Sequence, residues 1–215
     1  MEQTALTELF ARSSALHDHL CPRQILGVRM GLLGMHTLGF EEPPVKKRLL
    51  IITETDGCFV DGLSIATGCT VGHRTLRVED YGKTAAVFVD TVTEQALRLA
   101  PALDIRRQAV AYAPDEPRHY FAQMQAYQVM PDEVMFCVQS VVLNSPIAEI
   151  VSRPAVRSSC DVCGEEIINE REIKENGLTL CRACARGAYY HSFAPARERI
   201  FEHSTIAVHG LITEN

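Results

Sequence analysis

Two pairs of cysteines constrain the fold of this chain more than any other feature. Cys160 and Cys163 are separated by two residues, as are Cys181 and Cys184, and 17 residues lie between the pairs. This spacing is typical of a zinc ion held by four thiolates, with iron as the alternative metal. A segment of about 30 residues buries too little apolar surface to fold alone and depends on its metal. We therefore expect a small treble-clef-like zinc finger over residues 160–190.

A second dense group lies near the amino terminus, where His17, His19 and Cys21 fall within five residues. Alternate residues of an extended segment share a face, so these three side chains can point to one side. Pro22 suits the first position of a helix, which makes Cys21 the expected N-cap. The positive end of the helix dipole favours a thiolate there, and the thiolate is the form that binds metals and attacks electrophiles.

Two more cysteines flank a short predicted helix further along. A β-branched run at 49–53 predicts a strand, and Asp56 is expected to cap the helix that follows it. Cys58 then lies in the first turn, the helix ends at Gly68, and Cys69 comes directly after it.

The rest of the core mixes helices and strands without a repeating βαβ order, which predicts an α+β fold with helices packed on a mainly antiparallel sheet. Cys137 falls in an apolar run and is expected to be a small buried hydrophobic residue. The pattern predicts helices at 4–15, 22–38, 93–99, 104–112 and 117–127 and further strands at 75–78, 84–90 and 134–143. The expected organisation is a core domain at 1–145, a linker at 146–159, the zinc finger at 160–190 and a tail at 191–215.

Composition excludes several classes of protein. Hydrophobic residues make up 47% of the chain and charged residues 22%, which is typical of a folded globular protein. The net charge of −6 argues against a large nucleic-acid interface. No signal peptide and no membrane-spanning run is predicted, so we expect a cytoplasmic protein whose eight cysteines are reduced.

From the residues alone, two interpretations of the core cysteines and histidines are equally supported. Thiol and imidazole groups together favour zinc, copper or a similar metal, with Asp61 as a further ligand or an orienting group. The other interpretation is a set of capped helices and packed thiols. The residues in question are His17, His19, Cys21, Cys58, Asp61, Cys69, His73 and Lys83.

Three motifs in order resemble the family of the formylmethanofuran dehydrogenase E-subunit over residues 1–145: H-x-H-L-C-P-x-x-x-L-G-x-R-M-G, D-G-C-x-V-D-G-x-x-x-x-T-G-C-T-x-G and D-Y-G-K. The resemblance implies an α+β core that forms an intertwined homodimer, in some members with a carboxy-terminal zinc finger. Asp18 and Arg23 depart from the family motif, which has glycines at these positions, and they add charge beside the helix start.

The resemblance also implies roles for the motif residues. As candidate catalytic residues it assigns Cys21, Cys58, Asp61 and Lys83. As candidate ligands of a second metal ion or a small molecule in the core it assigns His17, His19, Cys21, Cys58 and Cys69.

Three functional hypotheses follow. The first is a metalloprotein accessory to a molybdenum or tungsten oxidoreductase, whose redox chemistry belongs to other subunits because nothing here resembles a molybdopterin-binding domain. The second is a regulatory or adaptor protein that acts through its finger. Residues 160–184 carry six acidic and three basic side chains, so a protein partner is favoured there over nucleic acid. The third is an enzyme in which Cys58 or Cys21 is the nucleophile and a histidine the base.

Overall fold

The computed structural model describes residues 3–17, 19–151 and 153–191. The chain divides into two compact units, 1–151 and 152–215, so the division falls within the expected linker. The tail expected at 191–215 lies outside the described residues apart from His191, and so does Asp18. None of the helices in the described ranges has the length and apolarity that crossing a bilayer requires.

The first unit confirms the expected α+β fold of helices on a mainly antiparallel sheet. Its helices are α1 (Gln3–Ser14), α2 (Pro22–Thr37), α3 (Cys58–Thr67), α4 (Ile105–Tyr112), α5 (His119–Val129), α6 (Asp132–Met135) and α7 (Ile147–Val151). Its strands are β1 (Leu49–Thr53), β2 (Leu76–Val78), β3 (Ala86–Asp90), β4 (Ala96–Pro101) and β5 (Phe136–Ser140). The sheet order is β2-β1-β3-β4-β5, and only the β1–β2 pair is parallel.

The two faces of this sheet bury different clusters of apolar side chains. Leu49 and Ile51 of β1 belong to the main core, which includes residues of α1 to α5. Leu50, the residue between them, belongs to a smaller cluster on the opposite face, where residues of α7 pack. Alternation of side chains along a strand explains this division, and β1 is consequently buried on both faces.

Helix α2 packs directly on α3 because both helices carry glycine at the contact. A Cβ at Gly27 would lie 2.2 Å from the Phe59 carbonyl oxygen, and one at Gly62 would lie 2.3 Å from the Gln24 carbonyl oxygen. The two backbones therefore approach as closely as their main-chain atoms permit. This contact brings the amino-terminal ends of α2 and α3 side by side.

Arg29 fixes the far end of α5 against α2. Its guanidinium donates hydrogen bonds to the carbonyl oxygens of Tyr127 at 3.0 Å and Met130 at 2.8 Å. It also pairs with the Asp132 carboxylate at 2.6 Å. Because the last carbonyls of a helix have no partner within the helix, a guanidinium there satisfies them and sets the position of α5.

The structure corrects the helix predicted at 93–99, because residues 93–95 belong to a turn and the rest of the segment lies in strand β4. Leu97 and Leu99 are both buried in the main core, two residues apart, and β4 pairs antiparallel with β3. The turn between these strands is held by Asp90, whose backbone carbonyl accepts from Glu94 at 2.9 Å. Pairing with β3 therefore determines the conformation of this segment, although its residues also have a propensity for helix.

Two smaller predictions are also wrong. The N-cap of α3 is Gly57, with a φ of 76° and no side-chain capping bond, so Asp56 does not cap this helix. Strand β5 is not buried, because it is at the edge of the sheet and only Phe136 is covered. Cys137 on this strand is therefore exposed rather than buried.

The described part of the second unit, residues 153–191, contains two hairpins and one short helix. Strands β6 (Arg157–Ser159) and β7 (Glu166–Ile168) pair with each other, as do β8 (Ile173–Glu175) and β9 (Leu178–Leu180), and α8 (Arg182–Arg186) follows. The buried hydrophobic residues here are Cys160, Ile167 and Leu180. So small an apolar core does not stabilise the folded unit by itself, and a bound metal ion or a covalent cross-link is needed in addition.

Candidate functional site

The second unit brings its four cysteines together. The sulfur atoms of Cys160, Cys163, Cys181 and Cys184 all lie within 4.8 Å of one another, and those of Cys163 and Cys181 are 3.9 Å apart. Four thiols at this spacing form a donor set that can hold a metal ion. The described residues contain no other such group of three or more His, Cys, Asp or Glu side chains.

Local backbone geometry places these sulfur atoms. The N–H of Gly164 donates to the Cys160 carbonyl oxygen at 2.8 Å, which closes the turn between the first two cysteines. Cys181 is the N-cap of α8, and its sulfur accepts from the N–H of Cys184 at 3.4 Å. Hydrogen bonds from the backbone N–H groups of Cys163 and Cys181 lower the pKa of Cys160 to about 6, so a thiolate is stabilised before any metal binds.

In the first unit, the structure confirms Cys21 as the N-cap of α2. Its sulfur accepts from the N–H of Gln24 at 3.4 Å, and the Gln24 side chain accepts from the N–H of Cys21 at 2.8 Å. The Gln24 amide also donates to the Ser13 carbonyl oxygen at 2.8 Å, which ties this start to the end of α1. Cys21 is thus held in a capping box, with its sulfur buried at the first turn.

Cys58 is the first residue of α3, and the close packing of α2 on α3 brings it to Cys21. Burial raises the pKa of the Cys58 thiol, and the neighbouring Cys21 thiol raises it further. Although Cys58 is at a helix start, its proton is therefore held more tightly than in an ordinary cysteine. The two thiols form a close pair contributed by two different helices.

This thiol pair lies on the wall of a cavity of about 680 Å³. Tyr120 lines the same cavity, and burial together with the nearby Cys21 and Cys58 groups raises the pKa of its hydroxyl. The lining residues are Cys21, Pro22, Arg23, Leu26, Cys58, Thr84, Pro101, Ala102, Leu103, Ile105, Arg106, Tyr120, Gln123 and Tyr127. A cavity of this size can hold a small molecule.

His17 and Asp61 lie beside the cavity rather than on its wall. The His17 Nε2 and the Asp61 carboxylate are 2.5 Å apart, and both side chains are about one-third exposed. Asp61 is close enough to Cys58 to contribute to the raised pKa of that thiol. The pair therefore orients the loop before α2 against the first turn of α3.

The remaining predicted site residues lie elsewhere. His19 is exposed, and Cys69 is buried in the main core, where its sulfur donates to the Leu49 carbonyl oxygen at 3.6 Å. Lys83 is exposed beside the Tyr81 ring, 5.9 Å from its centroid. His73 is 3.1 Å from the Thr70 hydroxyl. The described residues of the core thus bring together Cys21 with Cys58, and His17 with Asp61.

Sequence reasoning did not single out Arg106, Tyr120, Gln123 or Tyr127. They lie on two helices, α4 and α5, whose approximate bounds the pattern did predict. Their place in the site could not be predicted, because only tertiary packing brings α4 and α5 to one side of the cavity, and no local sequence pattern indicates that packing.

The fold and the sites define an α+β protein with a thiol-lined cavity in its first unit and a four-cysteine metal-binding group in its second. The family model described as "FmdE, Molybdenum formylmethanofuran dehydrogenase operon" matches residues 16–137, more than half of the chain. The chain therefore belongs to the FmdE family, as its three motifs predict.

Proteins similar to it include one curated relative and one solved structure. A curated protein of Archaeoglobus fulgidus, named "Probable S-adenosyl-L-methionine-binding protein", is 30% identical over 87% of this chain. The chain spans only 55% of that relative's length. A protein from Syntrophus aciditrophicus, described as a "tungsten formylmethanofuran dehydrogenase subunit e (fmde)-like protein", has the same fold in its crystal structure. Its TM-score is 0.53 at 19% identity, and the match covers 86% of this chain and 95% of the other.

Proposed function

We propose that this protein is a zinc-containing metalloprotein of the FmdE family whose core cavity binds a metal ion or small ligand through Cys21 and Cys58. We further propose that it is a cytoplasmic homodimer that acts as an accessory to a molybdenum or tungsten oxidoreductase. The observation that carries this proposal is the meeting of two thiols, one from the start of α2 and one from the start of α3, on the wall of a cavity.

Zinc is the metal that best suits the four-cysteine group. Thiolates bound tetrahedrally to zinc, each at about 2.3 Å, lie about 3.8 Å from one another. The observed 3.9 Å between the sulfur atoms of Cys163 and Cys181 agrees with this distance. Four protein ligands leave no open position on the ion, so its role is structural.

The core thiol pair, in contrast, would leave coordination positions open on a bound metal ion. Two thiols supply only half of a tetrahedral ligand set, so a metal held there retains positions for a small molecule or for a residue of a second protomer. A cysteine-dependent enzyme with Cys58 as its nucleophile is less well supported, because the raised pKa of Cys58 disfavours the thiolate that such a nucleophile needs.

The test is the metal content per chain of the full-length protein, purified without oxygen and measured by elemental analysis. We expect two metal ions in the wild type and one in the Cys21→Ser/Cys58→Ser variant. Serine is a good N-cap, so the start of α2 is retained in this variant. Cys137→Ser removes an exposed thiol outside both groups and is the matched control. Equal metal content in all three proteins, with no change in ligand binding, contradicts the core site.

The relative from Archaeoglobus supports S-adenosylmethionine as a second candidate for the ligand of the core cavity. A cavity of about 680 Å³ is within the range that binds cofactor-sized molecules. Isothermal titration of the full-length protein with S-adenosylmethionine tests this candidate. Binding that is weakened by Tyr120→Ala but not by substitution of the exposed Tyr81 supports it, and no binding to the wild type removes it.

A further inference from the structure

We propose that the core cavity selects a ligand with a negatively charged group and an apolar body, and that Arg23 and Arg106 bind the charged group. This inference rests on the proposed function only in taking the cavity as a binding site. It adds the chemical class of the ligand and the residues that recognise it.

The charges on the cavity wall are all of one sign. Of the described residues that line it, Arg23 and Arg106 carry a formal charge, and none is an aspartate or glutamate. Neither arginine forms an ion pair within the described part of the chain. Two arginines without an ionic partner thus line one cavity in a protein whose net charge is −6. Guanidinium groups bind carboxylates and phosphates through paired hydrogen bonds.

Two acidic residues close to Arg106 or Cys58 already have partners. Asp104, two residues before Arg106, accepts from Gln108 at 2.8 Å and pairs with Arg107 at 3.1 Å. Asp61, which lies near Cys58, pairs with His17. The positive groups of the cavity therefore remain available to a ligand.

Four helices add to the positive potential, because each begins at the cavity. The lining includes residues from the first turns of α2, α3, α4 and α5, namely Arg23, Cys58, Arg106 and Tyr120. The start of each helix carries a partial positive charge of about half an elementary charge. Convergence of several helix starts on one cavity strengthens its attraction for an anion.

Apart from Thr84 and Gln123, the remaining wall is largely apolar and fits the body of such a ligand. Leu26, Leu103 and Ile105 supply aliphatic surface, and Tyr120 and Tyr127 supply rings. Leu103 and Tyr120 are well exposed, so the cavity opens to solvent on this side. A ligand can thus enter with its charged group directed to the arginines while its body covers these side chains.

The test uses the cavity's own thiols as reporters. Iodoacetate is anionic and iodoacetamide is neutral, and both alkylate the same thiolate, so the ratio of their rates at one cysteine is independent of that cysteine's pKa. The ratio is measured on the full-length protein, with bound core metal removed by a chelator, and mass spectrometry resolves Cys58 from the exposed Cys137. We expect the ratio to be about tenfold higher at Cys58 than at Cys137.

Substitutions and a salt series then test whether the two arginines cause the preference of Cys58 for iodoacetate over iodoacetamide. Arg23→Gln/Arg106→Gln is expected to reduce the ratio at Cys58 to that of Cys137. Lys46→Gln/Lys47→Gln removes two exposed charges that do not line the cavity and form no ion pair in the described part of the chain, and it is expected to leave the ratio unchanged. In the wild type the preference should also decrease as salt rises to about 1 M. Equal ratios at the two cysteines, a ratio that the double variant does not change, or a preference that persists at high salt overturns the proposal. Because no metal is counted, this outcome is independent of the metal test above.

Protection by small molecules separates the two anionic groups. Benzoate and phenyl phosphate present a carboxylate and a phosphate on the same ring, and benzyl alcohol is the neutral control. We expect one of the anions to slow alkylation of Cys58 by iodoacetamide at concentrations where benzyl alcohol does not. The more protective anion identifies the group that the arginines bind, and equal protection by the alcohol contradicts an anionic ligand.

Discussion

Single residues determine how closely the parts of the core site approach. Gly27 and Gly62 have no side chain, so α2 and α3 can pack backbone against backbone. Cys21 and Cys58 occupy the starts of these two helices and meet as a result. The spacing of Gly27, Gly31 and Gly34 in the sequence already predicts one closely packed face of α2. It does not indicate the partner, which is α3 for the first two glycines and the Phe88 ring for the third.

Gly27→Ala should therefore destabilise the first unit. The new Cβ would lie 2.2 Å from the Phe59 carbonyl oxygen, which is backbone and cannot turn aside. We expect a loss of about 2 kcal/mol in the free energy of unfolding, although alanine is the better helix former. Gly72→Ala is the control, because nothing lies within 4 Å of a Cβ at that position. Urea unfolding of the three proteins tests the prediction, and equal stability of Gly27→Ala and wild type contradicts it.

At the scale of secondary structure, local sequence patterns predict most of the helices and strands. The elements that they do not predict depend on contacts with distant parts of the chain. Pro22 after Cys21 predicted the start of α2, and Gly68 predicted the end of α3, because both residues have strong local preferences. The sequence predicts a helix in place of β4, because two inward-facing leucines are too few to show the alternation that is typical of a strand. Its conformation is decided by pairing with β3, which the sequence does not reveal.

The turn between β3 and β4 makes stability depend on pH. Hydrogen bonds from Arg48 hold the pKa of Asp90 down to about 2, against an ordinary value of 3.8. Because the folded-state pKa is the lower one, this contribution is present above about pH 4 and is lost as the pH falls toward about 2. It is up to about 2 kcal/mol.

Asp90→Asn tests this dependence. The wild type should be more stable than the variant at about pH 5, and the difference should shrink to near zero at about pH 2. Urea unfolding across this range measures both proteins. Asp115→Asn, which changes an exposed carboxylate with no ion pair in the described part of the chain, should show no such convergence. A difference between wild type and Asp90→Asn that is constant with pH would rule out the ion pair with Arg48.

At the scale of the whole molecule, the two units are stabilised in different ways. The first buries a large apolar core, while the second, over residues 153–191, buries only Ile167 and Leu180 beside its four cysteines, of which Cys160 is also buried. The spacing of those cysteines was enough to predict the group, because ligand spacing in small metal sites is local. The core site was predicted only in part, because it depends on which helix starts converge and on residues such as Arg106 and Tyr120 that no motif marks.

Loss of the finger metal should consequently unfold the second unit alone. In Cys181→Ser we expect amide hydrogens over 153–191 to exchange rapidly, because metal binding supplies most of the folding free energy there. Those of the first unit should keep their protection. Cys137→Ser is again the control, and hydrogen exchange followed by mass spectrometry resolves the two regions. Unchanged protection over 153–191 would mean that the second unit folds without its metal.

An anomalous difference map, recorded at the zinc absorption edge from crystals grown with zinc, would decide whether the core thiols form a binding site. We predict one peak among Cys160, Cys163, Cys181 and Cys184. We predict a second peak within about 2.3 Å of the Cys21 and Cys58 sulfur atoms, or density for a small molecule in contact with them. A peak at the four-cysteine group alone, with neither metal nor ligand density beside Cys21 and Cys58, would contradict a binding site in the core.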